Sequence, residues 1–164
     1  HYIDPVQYIL GKDNTSPIKV EVDAPQQHPD AIGTWRSITY TYEDGCQIVL
    51  WGGDYGDPGT PYISGPKGNV YNNFICDIPN WEKKLADYPE PEIVVTDFLE
   101  SVRTRKPFAL NEQNGFRSAT IVNMGIVALR LNRTLHFDPV KLEFINDEAA
   151  NRLVNQPMRS PWNI

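Results

Sequence analysis

An α+β fold is what this sequence predicts, with a mainly antiparallel open β-sheet carrying helices on one face. Three observations predict it. Stretches of alternating apolar and polar residues cluster between residues 17 and 78 and are joined by tight turns. Helical periodicity takes over from residue 91. Strands and helices do not alternate one by one, as a parallel sheet would require. The 164 residues are expected to form one domain, long enough to bury ~70% of the surface the unfolded chain would expose. No internal repeat is present.

The first element is HYIDPVQYIL, residues 1–10. Tyr2, Ile3, Val6, Ile9 and Leu10 recur at the three- and four-residue steps of a helical face. Asp4-Pro5 reads as an N-cap or first-turn pair, and Gly11 stops the run. In PIKVEVDAP, Ile18, Val20 and Val22 share one side and Lys19, Glu21 and Asp23 the other, which is a half-buried strand ended by Pro25. PQQHPDAIG is a Pro-rich connecting loop. TWRSITYTYEDGCQIVLWGG supplies two strands joined around Asp44-Gly45, with Ile38, Tyr40 and Tyr42 on one face of the first. The second, Cys46 to Trp51, is apolar on both faces and predicts a central strand.

GGDYGDPGTP (52–61) holds too many breakers for a strand, and Asp54 and Asp57 read there as turn formers. YISGPKGNVYNNFICDI predicts a strand pair turning around residues 65–68, whose glycines do not match a phosphate loop. In PEIVVTDFLESVRTRKP, Val94, Val95, Phe98, Leu99 and Val102 form an apolar stripe, predicting an amphipathic helix over 91–106 that covers another layer. NEQNGFRSATIVNMGIVALRLNR predicts the buried helix of the domain, over 112–132. Asn111 is its N-cap, Arg130 and Arg133 suit its C-terminal dipole, and Gly125 and Ala128 allow close packing. LHF (135–137) is a short strand and DEAANRL (147–153) a short helix.

The formal charge of -6 and pI near 5.0 provide no basic patch for a phosphate backbone, which argues against nucleic acid as a partner. No apolar run approaches the ~20 residues that span a bilayer, and no secretory signal is visible, so no membrane partner is expected. The cytoplasm is the expected compartment, with an exported or periplasmic location left open. Cys46 and Cys76 have neither metal-ligand spacing nor disulfide-scaffold density and read as reduced core residues. The three histidines, His1, His28 and His136, show no i, i+3 or i+4 pairing, so no metal site is read from spacing. His136 reads as a polar-face or edge residue of the sheet, and His28 as a solvated loop residue. G-x-S-x-G and G-x-G-x-x-G are both absent, so neither a nucleophile elbow nor an unaided dinucleotide site is present. Composition alone says only that this is a soluble α+β domain.

Two stretches carry a resemblance. HYIDPVQYIL resembles the second half of the D-x-G-x-H-x-x-D helix of the glucose–fructose oxidoreductase / inositol dehydrogenase family (Gfo/Idh/MocA). DFLESVRTRKPF, NGFRSATIVNMGIVALRLNRTLHFDP and NDEAANRLVNQPMRSPW together are similar to the bacterial form of that family's C-terminal domain. The resemblance covers essentially the whole chain, 1–164. It implies a substrate-binding and oligomerisation domain whose N-terminal Rossmann domain is not in this chain, with the site between the two and His1 near the junction.

The implied chemistry is hydride transfer between NAD or NADP and a carbinol carbon of a sugar, cyclitol or derivative. An alcohol gives up its hydride only as its proton leaves, so a base must reach the hydroxyl. By resemblance His1 is the catalytic group, and Asp4 and Arg117 are substrate-binding candidates. Asp4 also has a capping reason to exist, and Arg117 a salt-bridging one. The cofactor is expected in the full-length parent and not in this chain, which should be inactive alone. Two other readings stay open: a relative that cleaves glycosides through transient oxidation, and a non-enzymatic domain binding a carbohydrate or a protein. Homo-oligomerisation is expected through the sheet, with Tyr40, Tyr42, Tyr71 and Trp51 giving its uncovered face aromatic area.

Overall fold

The computed structural model describes residues 2–28, 31–53, 59–89, 95–155 and 160–161. In chain order its elements are α1 (Ile3–Ile9), β1 (Lys19–Asp23), β2 (Ser37–Thr41), β3 (Gln47–Trp51), β4 (Ile63–Gly65), β5 (Gly68–Val70) and a 3-10 turn at Asn72–Phe74. Then come α2 (Trp81–Ala86), α3 (Phe98–Thr104), α4 (Glu112–Leu131), β6 (Leu135–Asp138), β7 (Glu143–Phe144) and α5 (Glu148–Val154). They fall into two compact units, residues 1–52 with 110–164, and residues 53–109.

The first unit is built on a five-stranded sheet in the order β3-β2-β1-β6-β7. Every neighbouring pair is antiparallel. Its registers align Leu135, Val20, Tyr40 and Ile48 in one row across four strands. All four side chains are buried, and Val22, Ile38 and Leu50 form the adjoining row. Period-two alternation therefore works as expected, sending one set of side chains to the core and the other to the free face. Opposite-face rows read His136–Lys19–Thr41–Gln47, Glu21–Thr39–Val49 and Asp23–Ser37–Trp51.

Helix α4 covers the core face. Asn111 caps its start by accepting from the Gln113 and Asn114 N–H groups, while Asn114 returns a bond to the Asn111 N–H. Asn132 ends it in the left-handed conformation at φ 49°. Ile121, Met124, Val127, Ala128 and Leu129 are buried, each large side chain contributing ~1.5–3 kcal/mol of transfer free energy. Gly125 admits the Tyr40 ring directly against the helix backbone. Helices α1 and α5 flank α4, and α5 also packs on β7. Asn151 holds that last contact, donating to the Phe144 carbonyl at 2.9 Å and accepting from its N–H at 2.8 Å. Asp147 caps α5 and pairs with both Arg133 terminal nitrogens, which holds its carboxyl below the usual carboxylate range.

Three expectations change. β3 is an edge strand, not a central one: Ile48 is buried while Gln47, Val49 and Trp51 are exposed. An apolar run on both faces reflected an apolar residue turned outward, not two covered faces. The aromatic sheet face also fails, because Tyr40 and Tyr42 are 1% and 2% exposed on the helix-covered side. What the open face carries is threonine and charge, with Val49 and Trp51 at its edge. The cysteines are unpaired, as expected, but half-buried instead of in the core.

In the second unit β4 and β5 form the expected hairpin. Asp77 fastens it by accepting from the Asn69 N–H at 2.6 Å and from Asn69 Nδ2 at 2.9 Å, bonds that pull its carboxyl below the usual range. Gly68, at φ 140°, leaves no room for a side chain beside Asp77 and Ile78. The predicted helix over 91–106 shrinks to seven residues: Asp97 caps α3 through the Leu99 and Glu100 N–H groups, and Arg105 ends it. Val95 instead bridges to Phe108 as extended chain, and 90–94 lie outside the described residues. Of its stripe, Phe98 meets the Phe108 ring edge-on at 6.2 Å between centroids, while Phe98, Leu99 and Val102 stay 65%, 60% and 47% exposed. Helix α2, β7 and the 3-10 turn were not anticipated. Asp54 and Asp57 lie outside the described residues.

Candidate functional site

The resemblance-derived residues Asp4 and Arg117 come from elements more than a hundred positions apart, and the fold brings them to one place. Helix α1 packs along α4. Asp4 lies in the first turn of α1, where Tyr2 holds the N-cap position without a side-chain cap, so Asp4 is free to bond outside its own helix. Its Oδ1 accepts from the Ser118 hydroxyl at 2.6 Å, and Gln7 Nε2 donates to the same Ser118 oxygen at 2.9 Å. Positions 4 and 7 are one turn apart and share a face, which lets a single hydroxyl bridge them.

Arg117, the neighbour of Ser118 on α4, turns to the segment before β1. Its Nη1 donates to Ser16 Oγ at 3.1 Å, and its guanidinium lies 5.6 Å from the Phe116 ring centre. Among the described residues Arg117 is in no ion pair, and the partner it has there is the neutral Ser16 hydroxyl. Gln7 and Ser16 are 0% and 1% exposed, so this polar cluster sits inside the α1–α4 contact. Gln7 Oε1 and Arg117 Nε are buried without a hydrogen-bond partner among the described residues. Buried polar atoms normally find partners, so these two mark where the cluster can still accept and donate. His1, the proposed catalytic group, lies outside the described residues.

Gln7, Ser16 and Ser118 escaped sequence reading. Gln7 did leave a signal, since it interrupts the apolar arc of Ile3, Val6 and Leu10. A polar residue on a buried helical face needs a partner there.

His136 projects from β6 onto the open sheet face, and His28 is exposed in its loop. Among the described residues no group of three His, Cys, Asp or Glu side chains could hold a metal, and no helix is long and apolar enough to cross a membrane. A dinucleotide does not fit the described residues. Its pyrophosphate is held on a strand–glycine loop–helix turn of a parallel sheet, and the large sheet here is antiparallel throughout.

An antiparallel sheet covered on one face by helices, with a polar cluster where the first helix meets the longest one, defines an α+β domain, and its described residues form no nucleotide cradle. Residues 1–164 match the family model described as "Oxidoreductase family, C-terminal alpha/beta domain". The chain belongs to the Gfo/Idh/MocA oxidoreductase family and represents its C-terminal domain. No curated protein and no solved structure matches it.

Proposed function

We propose that this chain is the substrate-facing domain of an NAD(P)-dependent dehydrogenase acting on a sugar, cyclitol or derivative. The bound dinucleotide, which supplies hydride chemistry, belongs to a Rossmann domain of the same polypeptide. The observation that supports this reading is the Asp4–Ser118–Gln7 chain of hydrogen bonds, which holds the Asp4 carboxylate on α1. Oxidising an alcohol requires removal of its hydroxyl proton, and in this reading His1 accepts it. Asp4, three residues on in the motif, is held by Ser118 as an acceptor for substrate hydroxyls, and Arg117 donates at the same end of α4. The reading also has two copies associating through their open sheet faces.

The test compares the 164-residue chain with the complete polypeptide. The chain alone should show no NAD(H) or NADP(H) binding by calorimetry, and the complete polypeptide should bind one of them and oxidise members of a polyol panel. His1→Ala in the complete polypeptide should lower kcat by roughly 10²–10⁴. Wild-type turnover in that variant removes His1 from the chemistry, and micromolar dinucleotide binding by the chain alone overturns the division of labour.

A further inference from the structure

The two edges of the five-stranded sheet are finished differently. At the β7 edge, Ile145 turns its N–H inward to the His136 carbonyl at 2.9 Å, so its neighbour Phe144 turns outward. Both outward groups of Phe144 are taken by the Asn151 amide, which closes that edge. At the β3 edge, the Tyr42 N–H donates to the Cys46 carbonyl at 2.9 Å and the Gly52 N–H to the Arg36 carbonyl at 3.0 Å. Residues 46, 48, 50 and 52 therefore bond inward to β2, and Gln47, Val49 and Trp51 point their N–H and C=O groups away from it. Among the described residues nothing bonds to those outward groups. All three side chains are exposed as well. Native edges are blunted by charge, proline, a bulge or a covering element. Strand β3 has neither charge nor proline, and its register with β2 runs unbroken. From Gly45 to Gly53 the chain carries no charged side chain at all.

We infer that β3 is a strand-addition site whose occupant is β3 of a second copy, paired antiparallel about a two-fold axis at Val49. A row of bare backbone donors and acceptors is satisfied by another extended chain. Self-complementarity selects a second copy. With Val49 opposite Val49 of the second copy, Gln47 falls opposite Trp51 and Trp51 opposite Gln47, so every outward N–H meets a C=O. Cross-strand neighbours are then a β-branched pair and two amide–indole pairs, with no like charges opposed. Charge favours the same place. Two chains of formal charge -6 repel, and the uncharged stretch at β3 lets them approach without setting carboxylates against each other. This contact is distinct from association through the open sheet face, since it uses backbone groups in the plane of the sheet, and it does not rest on the dehydrogenase reading. Five-residue strands bury less than the ~800 Å² per partner of a standard interface, so the pair is reversible, with a Kd on the order of 0.1 mM.

Residue-resolved amide hydrogen exchange on the 164-residue chain, at about 10 μM and about 1 mM, tests it. At that Kd the unpaired fraction falls from about 0.85 to about 0.2, so the Gln47, Val49 and Trp51 amides should exchange about 4-fold more slowly at the higher concentration. The Ile48 and Leu50 amides, bonded to β2, should not respond to concentration. Val49→Pro deletes one outward donor and no bond to β2, at a position where edge strands accept proline. It should leave Ile48 and Leu50 protected and the chain monomeric in sedimentation at about 1 mM, where the unmodified chain is mostly dimer. Outward amides that exchange fast at both concentrations overturn the pairing. Outward amides slow at both in a chain that sediments as a monomer show the edge covered by the chain's own residues, and overturn it too. Slow at both in a dimer that Val49→Pro splits upholds it with a tighter Kd. A dimer without the odd–even exchange pattern is built on another surface and overturns it, a result that stands even where the proline variant fails to fold.

Discussion

Replacing Gly125 by alanine should destabilise the first unit, although alanine is the better helix former. A methyl group at this position overlaps the Tyr40 hydroxyl oxygen, approaches Tyr40 Cζ at 3.3 Å and meets Ile38 Cδ1 at 3.7 Å. Tyr40 is 1% exposed and lies in the central row of the sheet, so its ring has nowhere to swing. Overpacking of this kind costs ~1–3 kcal/mol, against ~0.5–1 kcal/mol recovered from helix propensity. Gly115 in the same helix is the internal control, because an added methyl there meets nothing within 4 Å. Gly115→Ala should therefore be stabilising, and the two variants should differ by ~1–3 kcal/mol. For a protein of this size that is a gap of roughly 2–12 °C in melting temperature. Tyr40→Phe removes the overlapping atom, so the double variant should lose most of the penalty. Calorimetry with urea titration on the four proteins decides it. If Gly125→Ala melts at or above Gly115→Ala, or if Tyr40→Phe fails to relieve it, the reasoning about this contact is wrong.

Asn151→Ala should cost ~1–3 kcal/mol in urea unfolding, since it strands both backbone groups of the buried Phe144; a loss under 0.5 kcal/mol would show that water replaces the amide. Stability should fall as pH drops below about 4, because Asp147, Asp44, Asp77 and Asp138 all hold their protons less tightly folded than unfolded. Their contribution is present above the ordinary carboxylate value and is lost as pH falls through the lowered one; a flat melting temperature from pH 6 to pH 3 would contradict this, and Asp147→Asn should flatten part of the slope. If copies associate through the open sheet face, Trp51→Glu should shift sedimentation toward monomer while leaving the fold intact, and unchanged association would place the contact elsewhere.

The elements that local patterning decides were legible in the chain. Val20 alternates with charge on a strand, Asp44-Gly45 turns the hairpin, Asn111 caps α4, and Gly125 marks a close approach. What failed was anything set by a neighbour distant in sequence. The run Cys46–Trp51 read as a central strand because apolarity reports tolerance of burial, while the position of β3 at the sheet edge depends on which strands pair beyond it. The stripe of α3 was real as a pattern but did not extend through Val95, because extended pairing with Phe108 competes with helix there. Within the site, Asp4 and Arg117 came from a motif, whereas Ser118 and Ser16 acquire meaning only through folding. A serine in a helix carries no signal until the facing helix supplies Asp4 and Gln7.

Strand β1 pairs with β2, 13 residues downstream, on one edge and with β6, over a hundred residues later, on the other. The first unit is thus interrupted, and residues 53–109 are spliced into it as a self-contained loop. During synthesis at ~5–20 residues per second, β1 has its hairpin partners early but waits roughly 6–25 s for β6, with that backbone edge bare throughout. This is the interval in which a nascent chain is open to pairing with the wrong strand or to a chaperone. The same arrangement makes the spliced segment the freest part of the protein to diverge. Doubling its length adds only ~0.6 kcal/mol of closure entropy to the unit that hosts it, so this stretch can be exchanged or enlarged while the sheet and its covering helices stay as they are.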